Sequence, residues 1–307
     1  MHISIIIPTY NRCEILKETL ESFLLLKHNE NDFGYEIIVV DNNSNDNTRI
    51  VVMSFKSKLP IKYLHEPKQG KNYAVNKGIE ISKGDIIVFV DDDVTVNNDW
   101  FFSIYESTMK YSDVNIFGGK ILTHWPKNTP SWVHYSSENF PFLFCDHNLG
   151  NEEKQYTDSP LPGGANFWLR RRVLEKYKTK FNVQYGPSGN KRVAGSETEF
   201  LKRMYDKGEK ILYIPDAVVS HRVLPEEFQI LKLLSRFAAT GKSSLRNNTI
   251  DTSRAFFNIP LYLYNQLLTE MFLFLLNFIT FNKNKYMNSM IKIAYFYGRS
   301  KAFVAGK

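Results

Sequence analysis

The chain has 307 residues, enough for one large domain or two modest ones with a substantial buried core. Apolar residues make up 43% and charged residues 23%, which excludes a wholly disordered chain and a disulfide-stapled scaffold. The net charge of +7 is uneven, because residues 1–221 carry 27 Lys and Arg against 28 Asp and Glu, whereas residues 222–307 carry 12 against 4.

Short β-branched runs alternate with helical patterns over the first 120 residues. Strands are predicted at 4–7, 36–40, 61–64 and 85–90, and helices after Asn11, at 48–58 and at 72–82. Asn11 and Glu14 have the spacing of a capping box at the start of the first helix. Strand–helix–strand repetition implies right-handed crossovers, so the predicted fold class is α/β with a mostly parallel sheet flanked by helices.

Polar sequences follow three of these predicted strands. PTYNR begins at Pro8, DNNSND at Asp41 and DDD at Asp91. Ligands of parallel sheets collect at the carboxyl ends of the strands. We therefore expect the three segments to converge on one cleft.

The periodic pattern is interrupted in residues 123–164, where aromatic and His residues are mixed with Pro, Ser and Asn. This composition predicts a long loop region over the cleft, with its aromatic residues either buried or facing a sugar acceptor. Helices are predicted again at 171–177, 196–207 and 226–240, and short strands near 210–214 and 217–220. A domain boundary is predicted near residue 222, with 222–307 as a basic, apolar helical extension.

The apolar segment 259–281 lies within this basic tail. Apolar bulk flanked by Lys and Arg suits an anionic bilayer surface better than a nucleic acid, which we do not expect as a partner. Glu270 argues against a spanning helix, because a carboxylate at the bilayer centre costs about 2–3 kcal/mol. The pattern favours a helix that lies in the membrane plane or docks on it, while a buried helix, an oligomer contact and a true span stay open.

Two cysteines, Cys13 and Cys145, cannot form a disulfide framework and fit a reducing compartment. No secretory signal is visible at the start of the sequence. We expect a cytoplasmic protein, placed peripherally at the inner face of the plasma membrane if the tail contacts lipid.

Three consecutive aspartates follow the fourth predicted strand. Alternation along an extended strand would point Asp91 and Asp93 to one side and Asp92 to the other. Clustered carboxylates need a compensating cation, and oxygen ligands favour Mg²⁺ or Mn²⁺. The alternative is that these residues cap a helix beginning near Asn98.

The segments IIIPTYNR, VVDNNSNDNT and GKNYAVNKGIEISKGDIIVFVDDD resemble, in this order, the nucleotide-sugar-binding half of family 2 glycosyltransferases, which are inverting enzymes of the GT-A fold. The resemblance implies a GT-A domain over residues 1–221, with donor binding in 1–120 and the acceptor and catalytic part in 121–221. The donor-binding residues implied are Pro8, Thr9, Tyr10, Arg12, Asp41, Lys71, Asn76, Asp91 and Asp92. Asp41 could instead fix its own turn, and Lys71 and Asn76 could serve solvation and helix packing.

Two further segments carry the resemblance into the second half. PGGANFWLRR, from Pro162, resembles the small-residue segment under the transferred sugar, although its glycines could equally form a structural bend. GSETEFLKR resembles the segment with the catalytic base, which would be Glu197, although the family usually has aspartate there. Glu199 is the alternative, but residues two apart on a helix point about 200° apart, and Glu199 suits an ion pair with Arg203.

The resemblance also implies that His221 completes a metal site with Asp91 and Asp93, and that the ion is Mn²⁺ or Mg²⁺. The alternative for His221 is a hydrogen bond to backbone, and Arg222 is a candidate phosphate neighbour. The implied reaction is inverting sugar transfer from a nucleotide-diphosphate sugar to a hydroxyl of a glycan or lipid-linked glycan. No Gln-x-x-Arg-Trp motif is present, so we expect non-processive transfer. A nucleotidyltransferase acting on a sugar phosphate and a non-catalytic nucleotide- or carbohydrate-binding module stay as alternatives.

Overall fold

The computed structural model describes residues 1–26, 33–140, 144–188, 191–245 and 255–304 of the chain. The chain divides into two compact units. Unit 1 comprises Met1–His124, Cys145–Lys191 and Ser196–Arg222, and unit 2 comprises Trp125–Phe144, Arg192–Gly195 and Val223–Lys307. Unit 2 thus contains the tail together with two segments from the middle of the sequence.

A mixed sheet forms the centre of unit 1. Its strands are β1 His2–Thr9, β2 Gly34–Asp41, β3 Ile61–His65, β4 Ile86–Phe89, β5 Val94–Val96, β6 Ile116–His124, β7 Lys154–Gln155, β8 Phe167–Arg170 and β11 Ile211–Arg222. The order is β3-β2-β1-β4-β8-β6-β11-β5, with β7 beside β11. The first four strands are parallel, as are β6 and β11, while β8 runs antiparallel between the two sets. All four strands predicted for the first 120 residues are confirmed.

Helices cover both faces of this sheet. Those of unit 1 are α1 Cys13–Phe23, α2 Thr48–Ser54, α3 Lys71–Ile81, α4 Trp100–Lys110, α6 Arg171–Tyr177 and α7 Ser196–Asp206. Alternate residues of β1 enter opposite layers: Ile5 packs in the cluster with Leu20 of α1, and Ile6 in the cluster with Phe167 of β8. Because both faces are covered, β1, β2 and β4 contain continuous Ile and Val runs, at 5–7, 37–40 and 86–88, whereas the edge strand β3 includes Lys62.

The capping-box prediction for α1 is wrong. Arg12 is the residue before the helix, and its own side chain makes no capping hydrogen bond; the first N–H of the helix, that of Cys13, instead donates to Asp46 Oδ2 at 2.9 Å. Asn11 has a left-handed backbone with φ of 52°, and its Oδ1 accepts a hydrogen bond from the backbone N–H of Asn45 at 2.8 Å. The Asn11 side chain therefore ties the loop after β1 to the loop after β2.

Two predictions for the second half are also corrected. Residues 123–164 are not one continuous loop, because helix α5 Ser131–Asn139 forms within them. The two short strands predicted at 210–214 and 217–220 are one strand, β11, whose register shifts between Ile214 and Val218. Pro215 lies at this irregularity, which is consistent with its lack of a backbone donor for the ladder.

Unit 2 contains a helical core. After a 3-10 helix at Pro225–Phe228, its helices are α8 Ile230–Ser243, α9 Leu261–Ile279 and α10 Lys283–Val304, together with α5 and the β12–β13 ribbon Ala255–Phe256 and Ile259–Pro260. A Cβ atom at Gly241 of α8 would overlap the carbonyl oxygen of Tyr295, and one at Gly298 of α10 that of Ala238, so these two helices pack backbone to backbone. Strands β9 Gly186–Ser188 and β10 Lys191–Val193 form a separate ribbon.

Candidate functional site

The carboxyl ends of β1, β2 and β4 lie side by side in the sheet. Thr9 pairs in register with Asp41, and Ile6 with Phe89 at the end of β4. The backbone N–H of Asn42 donates to the carbonyl of Thr9 at 2.8 Å. The three polar segments that the sequence places after these strands therefore meet at one edge of the sheet.

Thr9 and Arg12 reach across to the aspartates that follow β4. The Thr9 hydroxyl donates to Asp92 Oδ2 at 2.7 Å, and Arg12 donates to Asp92 Oδ1 at 3.2 Å and to Asp93 Oδ2 at 2.9 Å. Burial raises the pKa of Asp92 to about 6, Arg12 opposes the shift, and the negative charge of Asp93 adds to it. Both oxygens of Asp92 are thus engaged within the protein.

Asp93 also faces His221 at the end of β11. Asp93 Oδ1 lies 3.3 Å from His221 Nε2, and Asp93 Oδ1 and His221 Nδ1 are buried atoms without a hydrogen-bond partner. Burial alone would lower the pKa of His221, but Cys145 and Asp93 outweigh it and raise the pKa to about 10. A protonated His221 therefore adds to Arg12 in balancing the charge of Asp93.

Lys71 joins Asp91 to Glu197. Its Nζ donates to Asp91 Oδ1 and to Glu197 Oε1, both at 2.7 Å, across 126 residues of sequence in the second case. Burial would lower the pKa of Lys71, but the two carboxylates outweigh it and hold the pKa well above its usual value. Burial alone would raise the pKa of Asp91, but the positive charge of Lys71 outweighs burial and lowers that pKa below its usual value.

Local backbone features place Lys71 and Glu197. Gly70, with φ of 138°, turns the chain into α3 so that Lys71 is its first residue. Glu197 lies in the first turn of α7, and a Cβ atom at Gly164 would come within 2.5 Å of its Cδ. The Glu197 carboxyl group therefore requires glycine at position 164. Pro8, Lys71, Asp91, Gly164 and Glu197 line one pocket, together with Val75, Phe89, Val90, Phe167 and Phe181.

The two groups of side chains are electrostatically connected. His221 and Arg12 are close enough to help lower the pKa of Asp91 as well. The site thus contains carboxylates and cationic side chains in alternation at the carboxyl edge of the sheet. Such an arrangement suits an anionic ligand that binds together with a cation.

The other residues predicted for the site lie as follows. Asp41 is buried and accepts two hydrogen bonds, from the Ser44 N–H at 2.8 Å and from the Tyr63 hydroxyl at 2.7 Å. Burial and the nearby Asp41 carboxylate together raise the pKa of Tyr63 to about 12. Tyr10 is 40% exposed. Asn76 hydrogen-bonds to both the carbonyl and the N–H of Phe181, at 2.8 and 2.9 Å, so its amide fastens the segment before β9 to α3.

Glu199 and Arg222 are engaged elsewhere. Arg203 donates to both oxygens of Glu199, at 2.7 and 3.2 Å, which is the ion pair expected from the sequence. The Arg222 guanidinium donates to the carbonyl of Ile15 at 2.7 Å and to the Thr19 hydroxyl at 3.1 Å, so it lies against α1. Among the described contacts, Lys71 pairs with Glu197, and Glu199, the other candidate base, pairs with Arg203.

The aspartates do not cap a helix. Strand β5 follows them directly, and α4 begins only at Trp100. Strand alternation does not extend through residues 91–93 either, because β4 ends at Phe89 and the chain turns at Asp92 and Asp93. As a consequence, Asp92 shares Arg12 with Asp93, whereas Asp91 is paired with Lys71.

Two contacts were not anticipated from the sequence. The Ser196 hydroxyl donates to Asn72 Oδ1 at 2.7 Å and so fixes the start of α7 to the start of α3. Asn42 accepts from the Gly70 N–H at 2.7 Å and donates to the Lys68 carbonyl at 2.6 Å, which holds the turn before Lys71. A role for Asn42 was indicated in the sequence only by its position after Asp41 in the DNNSND segment.

Two of the three predicted metal ligands lie side by side. No group of three or more His, Cys, Asp or Glu within the described ranges is placed so that it could hold a metal ion. However, the buried Asp93 oxygen without a hydrogen-bond partner lies beside His221, and Asp91 is two residues away. Carboxylate oxygens with an imidazole form a donor set that accepts Mn²⁺ or Mg²⁺.

Comparison with known proteins points to one family. The profile described as Glycosyl transferase family 2 matches residues 4–178, more than half of the chain. The chain is 29% identical to the succinoglycan biosynthesis protein ExoM of Rhizobium meliloti over 238 residues, or 77% of this chain and 71% of that protein. It is 25% identical to the glucosyl-dolichyl phosphate glucuronosyltransferase of Haloferax volcanii over 226 residues, or 73% of this chain and 70% of that protein.

A solved structure shows the same fold. The mannosyltransferase PcManGT from Pyrobaculum calidifontis, in complex with GDP-Man and Mn²⁺, superposes with a TM-score of 0.55 at 18% identity. The superposition covers 81% of this chain and 66% of that one. The similarity at this level concerns the fold, which is the predicted α/β arrangement with a central sheet between helices.

Proposed function

Because this chain belongs to glycosyl transferase family 2 and is a glycosyltransferase of the GT-A fold, we propose that it transfers a sugar from a nucleotide-diphosphate sugar to a hydroxyl group with inversion. The acceptor proposed is a glycan or a lipid-linked glycan, extended by one residue at a time. The names of the two relatives, one in succinoglycan biosynthesis and one acting on a dolichyl phosphate sugar, support this acceptor class. The observation that carries the proposal is the Lys71 bridge between Asp91 and Glu197.

The donor is proposed to bind along the carboxyl ends of β1, β2 and β4. Pro8, Thr9, Tyr10 and Arg12 would border the nucleotide base, and the buried carboxylate of Asp41 would accept a hydrogen bond from it. In support, Tyr10 is exposed at the end of β1, where a flat ring can be stacked upon. Asp92, held by Thr9 and Arg12, would fix the strand ends around the ribose side, and Asn76 would hold the wall at Phe181.

Lys71 is proposed to bind the donor diphosphate. It begins α3, and a helix N-terminus adds its own attraction for an anion. An incoming diphosphate would compete with the Glu197 carboxylate for the same ammonium group. Binding of the donor would in this way release Glu197 from its ion pair at the moment when a base is needed.

Glu197 is proposed as the general base. Once free of Lys71, its carboxylate would take the proton of the acceptor hydroxyl while the hydroxyl oxygen attacks the anomeric carbon from the face opposite the diphosphate. One displacement of this kind inverts the configuration. Asp91, Asp93 and His221 would hold Mn²⁺ or Mg²⁺, which stabilises negative charge on the departing diphosphate when it is bound.

A cytoplasmic donor and a lipid-linked acceptor would meet at the inner face of the plasma membrane. We propose a peripheral position there, with contact through the basic extension 222–307. None of the helices in the described part of the chain is both long and apolar enough to cross a bilayer.

The test compares Glu197→Gln with Glu199→Gln. The two substitutions are identical, lie two residues apart on α7, and differ in that Glu199 is paired with Arg203. We expect Glu197→Gln to reduce release of nucleoside diphosphate from a panel of nucleotide sugars by about 10²-fold or more, and Glu199→Gln by much less. Thermal stabilisation of both variants by nucleotide sugar with Mn²⁺ serves as the control for donor binding.

Three results would contradict the proposal. Unchanged turnover of Glu197→Gln would remove Glu197 from the reaction. Release of pyrophosphate from a nucleoside triphosphate would indicate a nucleotidyltransferase, and donor binding without any turnover across donors and acceptors would indicate a non-catalytic module.

A further inference from the structure

We infer that one face of α9 is a docking surface for an anionic lipid bilayer, on which the helix lies in the plane of the interface. The inference concerns unit 2 by itself. It extends the membrane contact proposed above to defined residues, and its test requires no turnover.

The exposed side of α9 is apolar. Its exposed apolar and aromatic side chains recur at the spacing of one broad helical face and are Leu261, Tyr262, Leu268, Met271, Phe272, Leu275, Leu276, Phe278 and Ile279. Leu268 is 63% exposed, Phe272 66% and Ile279 71%. Two exposed polar residues belong to this side: Asn265 lies within the face, between Phe272 and Leu276, and Thr269 lies at its edge.

The opposite side of α9 contains its acidic residue. Leu263 and Glu270 are buried, and Glu270 Oε1 lies 3.1 Å from the Nζ of Lys292 on α10. The helix therefore turns its carboxylate inward while four of its leucines, Leu261, Leu268, Leu275 and Leu276, are exposed, which is unlike an ordinary surface helix. A continuous exposed apolar face of this kind marks a surface that something else covers.

Exposed aromatic side chains extend this surface at both ends. Phe281, directly after α9, is 91% exposed. At the other end, Phe257 in the turn between β12 and β13 is 77% exposed, and the carbonyl of its neighbour Phe256 accepts a hydrogen bond from Tyr264 of α9 at 3.0 Å. Aromatic rings at the borders of an apolar surface suit the interface between lipid and water.

Basic residues lie at both ends of the same helix, while α9 itself has no Lys or Arg. Lys283 and Lys285, at the start of α10, are exposed just after Phe281. At the opposite end, Arg299 donates to the Tyr262 hydroxyl at 3.1 Å, and Lys301 is exposed. Apolar residues framed by cations are the pattern that binds an anionic membrane surface.

The same charges disfavour a second copy of the chain as the occupant. A symmetric dimer through α9 would bring equivalent surfaces together, and with them the Lys283 and Lys285 clusters or the Arg299 and Lys301 clusters of both copies. No acidic residue other than the inward-facing Glu270 lies on α9 to compensate them. Anionic lipid headgroups supply that compensation.

The experiment measures binding of the full chain to vesicles by flotation. We expect at least tenfold stronger binding to vesicles of phosphatidylcholine with 30% phosphatidylglycerol, an assay composition near that of anionic cell membranes, than to phosphatidylcholine alone. Leu268→Gln combined with Phe272→Gln should reduce binding to the anionic vesicles at least tenfold. The matched control, Leu25→Gln combined with Ile50→Gln, removes residues of unit 1 that are 68% and 69% exposed and should bind as the original chain does.

Three outcomes overturn the inference. One is absence of binding to anionic vesicles by the folded chain, and another is equal binding by the two double variants. The third is a dimer in equilibrium sedimentation that Leu268→Gln with Phe272→Gln dissociates, because a second copy would then cover α9. Release of nucleoside diphosphate is measured on the same samples without vesicles, so that loss of docking is separated from loss of the proposed reaction.

Discussion

Replacing Lys71 by methionine should expose the electrostatic strain that this residue relieves. Its Nζ lies 2.7 Å from a carboxylate oxygen of both Asp91 and Glu197, so the two oxygens are at most 5.4 Å apart. At an effective dielectric constant of about 20, two unit charges at that separation repel by about 3 kcal/mol. Breaking a buried ion pair costs about 3–5 kcal/mol, and these side chains, only 19–23% exposed, fall at the lower end. We expect Lys71→Met to lower the free energy of unfolding by about 3 kcal/mol at pH 7.

Denaturant unfolding at pH 7 measures this loss, and Lys77→Met is the matched control on the same helix. Lys77 Nζ lies 3.6 Å from Glu80 Oε1, and the two side chains are 35% and 60% exposed, so its loss should cost about 0.5 kcal/mol or less. Because Lys71 lowers the pKa of Asp91, the deficit of Lys71→Met should persist at neutral pH and shrink as the pH falls below 3.8, where the folded original chain also protonates Asp91. Equal destabilisation by the two variants would refute the account of the bridge.

Two further predictions concern burial and close packing in unit 1. Burial lowers the pKa of His147 to about 4, below its usual value of 6.5. Between these two pH values only the unfolded chain takes up a proton at this residue. The folded protein should therefore lose about 3 kcal/mol of stability as the pH falls from 6.5 to 4. His147→Gln should reduce that loss in urea unfolding at pH 7.5 and 4.5, and an unchanged pH dependence would contradict it. Gly164→Ala should displace the Glu197 carboxyl from Lys71, because the new Cβ would come within 2.5 Å of Glu197 Cδ. Nucleoside diphosphate release should then fall by about 10²-fold, and the unfolding midpoint should also fall because the ion pair with Lys71 is lost. Full turnover would show that the Glu197 position is not critical.

The strand and helix pattern of the first 120 residues could be predicted because it is local. Continuous Ile and Val runs indicate strands covered on both faces, and the polar segments at their ends were correctly placed at one edge of the sheet. The start of α1 was not predictable, since Asn11 makes its hydrogen bond to Asn45 rather than to its own helix. Residue spacing does not report a partner that lies 34 residues away.

The aromatic residues of the middle segment show the same limit. From the sequence, two positions stayed open for these aromatic residues: burial in the core, or contact with a sugar acceptor. Trp132 and Phe144 belong to the hydrophobic core of unit 2, and Tyr156, Phe167 and Trp168 to the cores of unit 1. Burial of these five depends on which elements pack around them, and composition carries no such information.

By itself, the sequence determined the α/β fold class, the family resemblance and the apolar, basic character of the tail, because each is carried by local order or by composition. Only the tertiary structure decided that Lys71 bridges Asp91 and Glu197, since that contact joins residues 126 positions apart. It also decided that Glu270 turns towards Lys292 while Leu268, Leu275 and Leu276 of α9 are exposed. The physical reason is that periodicity defines the faces of a helix or strand, whereas the neighbouring elements select which face is buried and which charges are brought together.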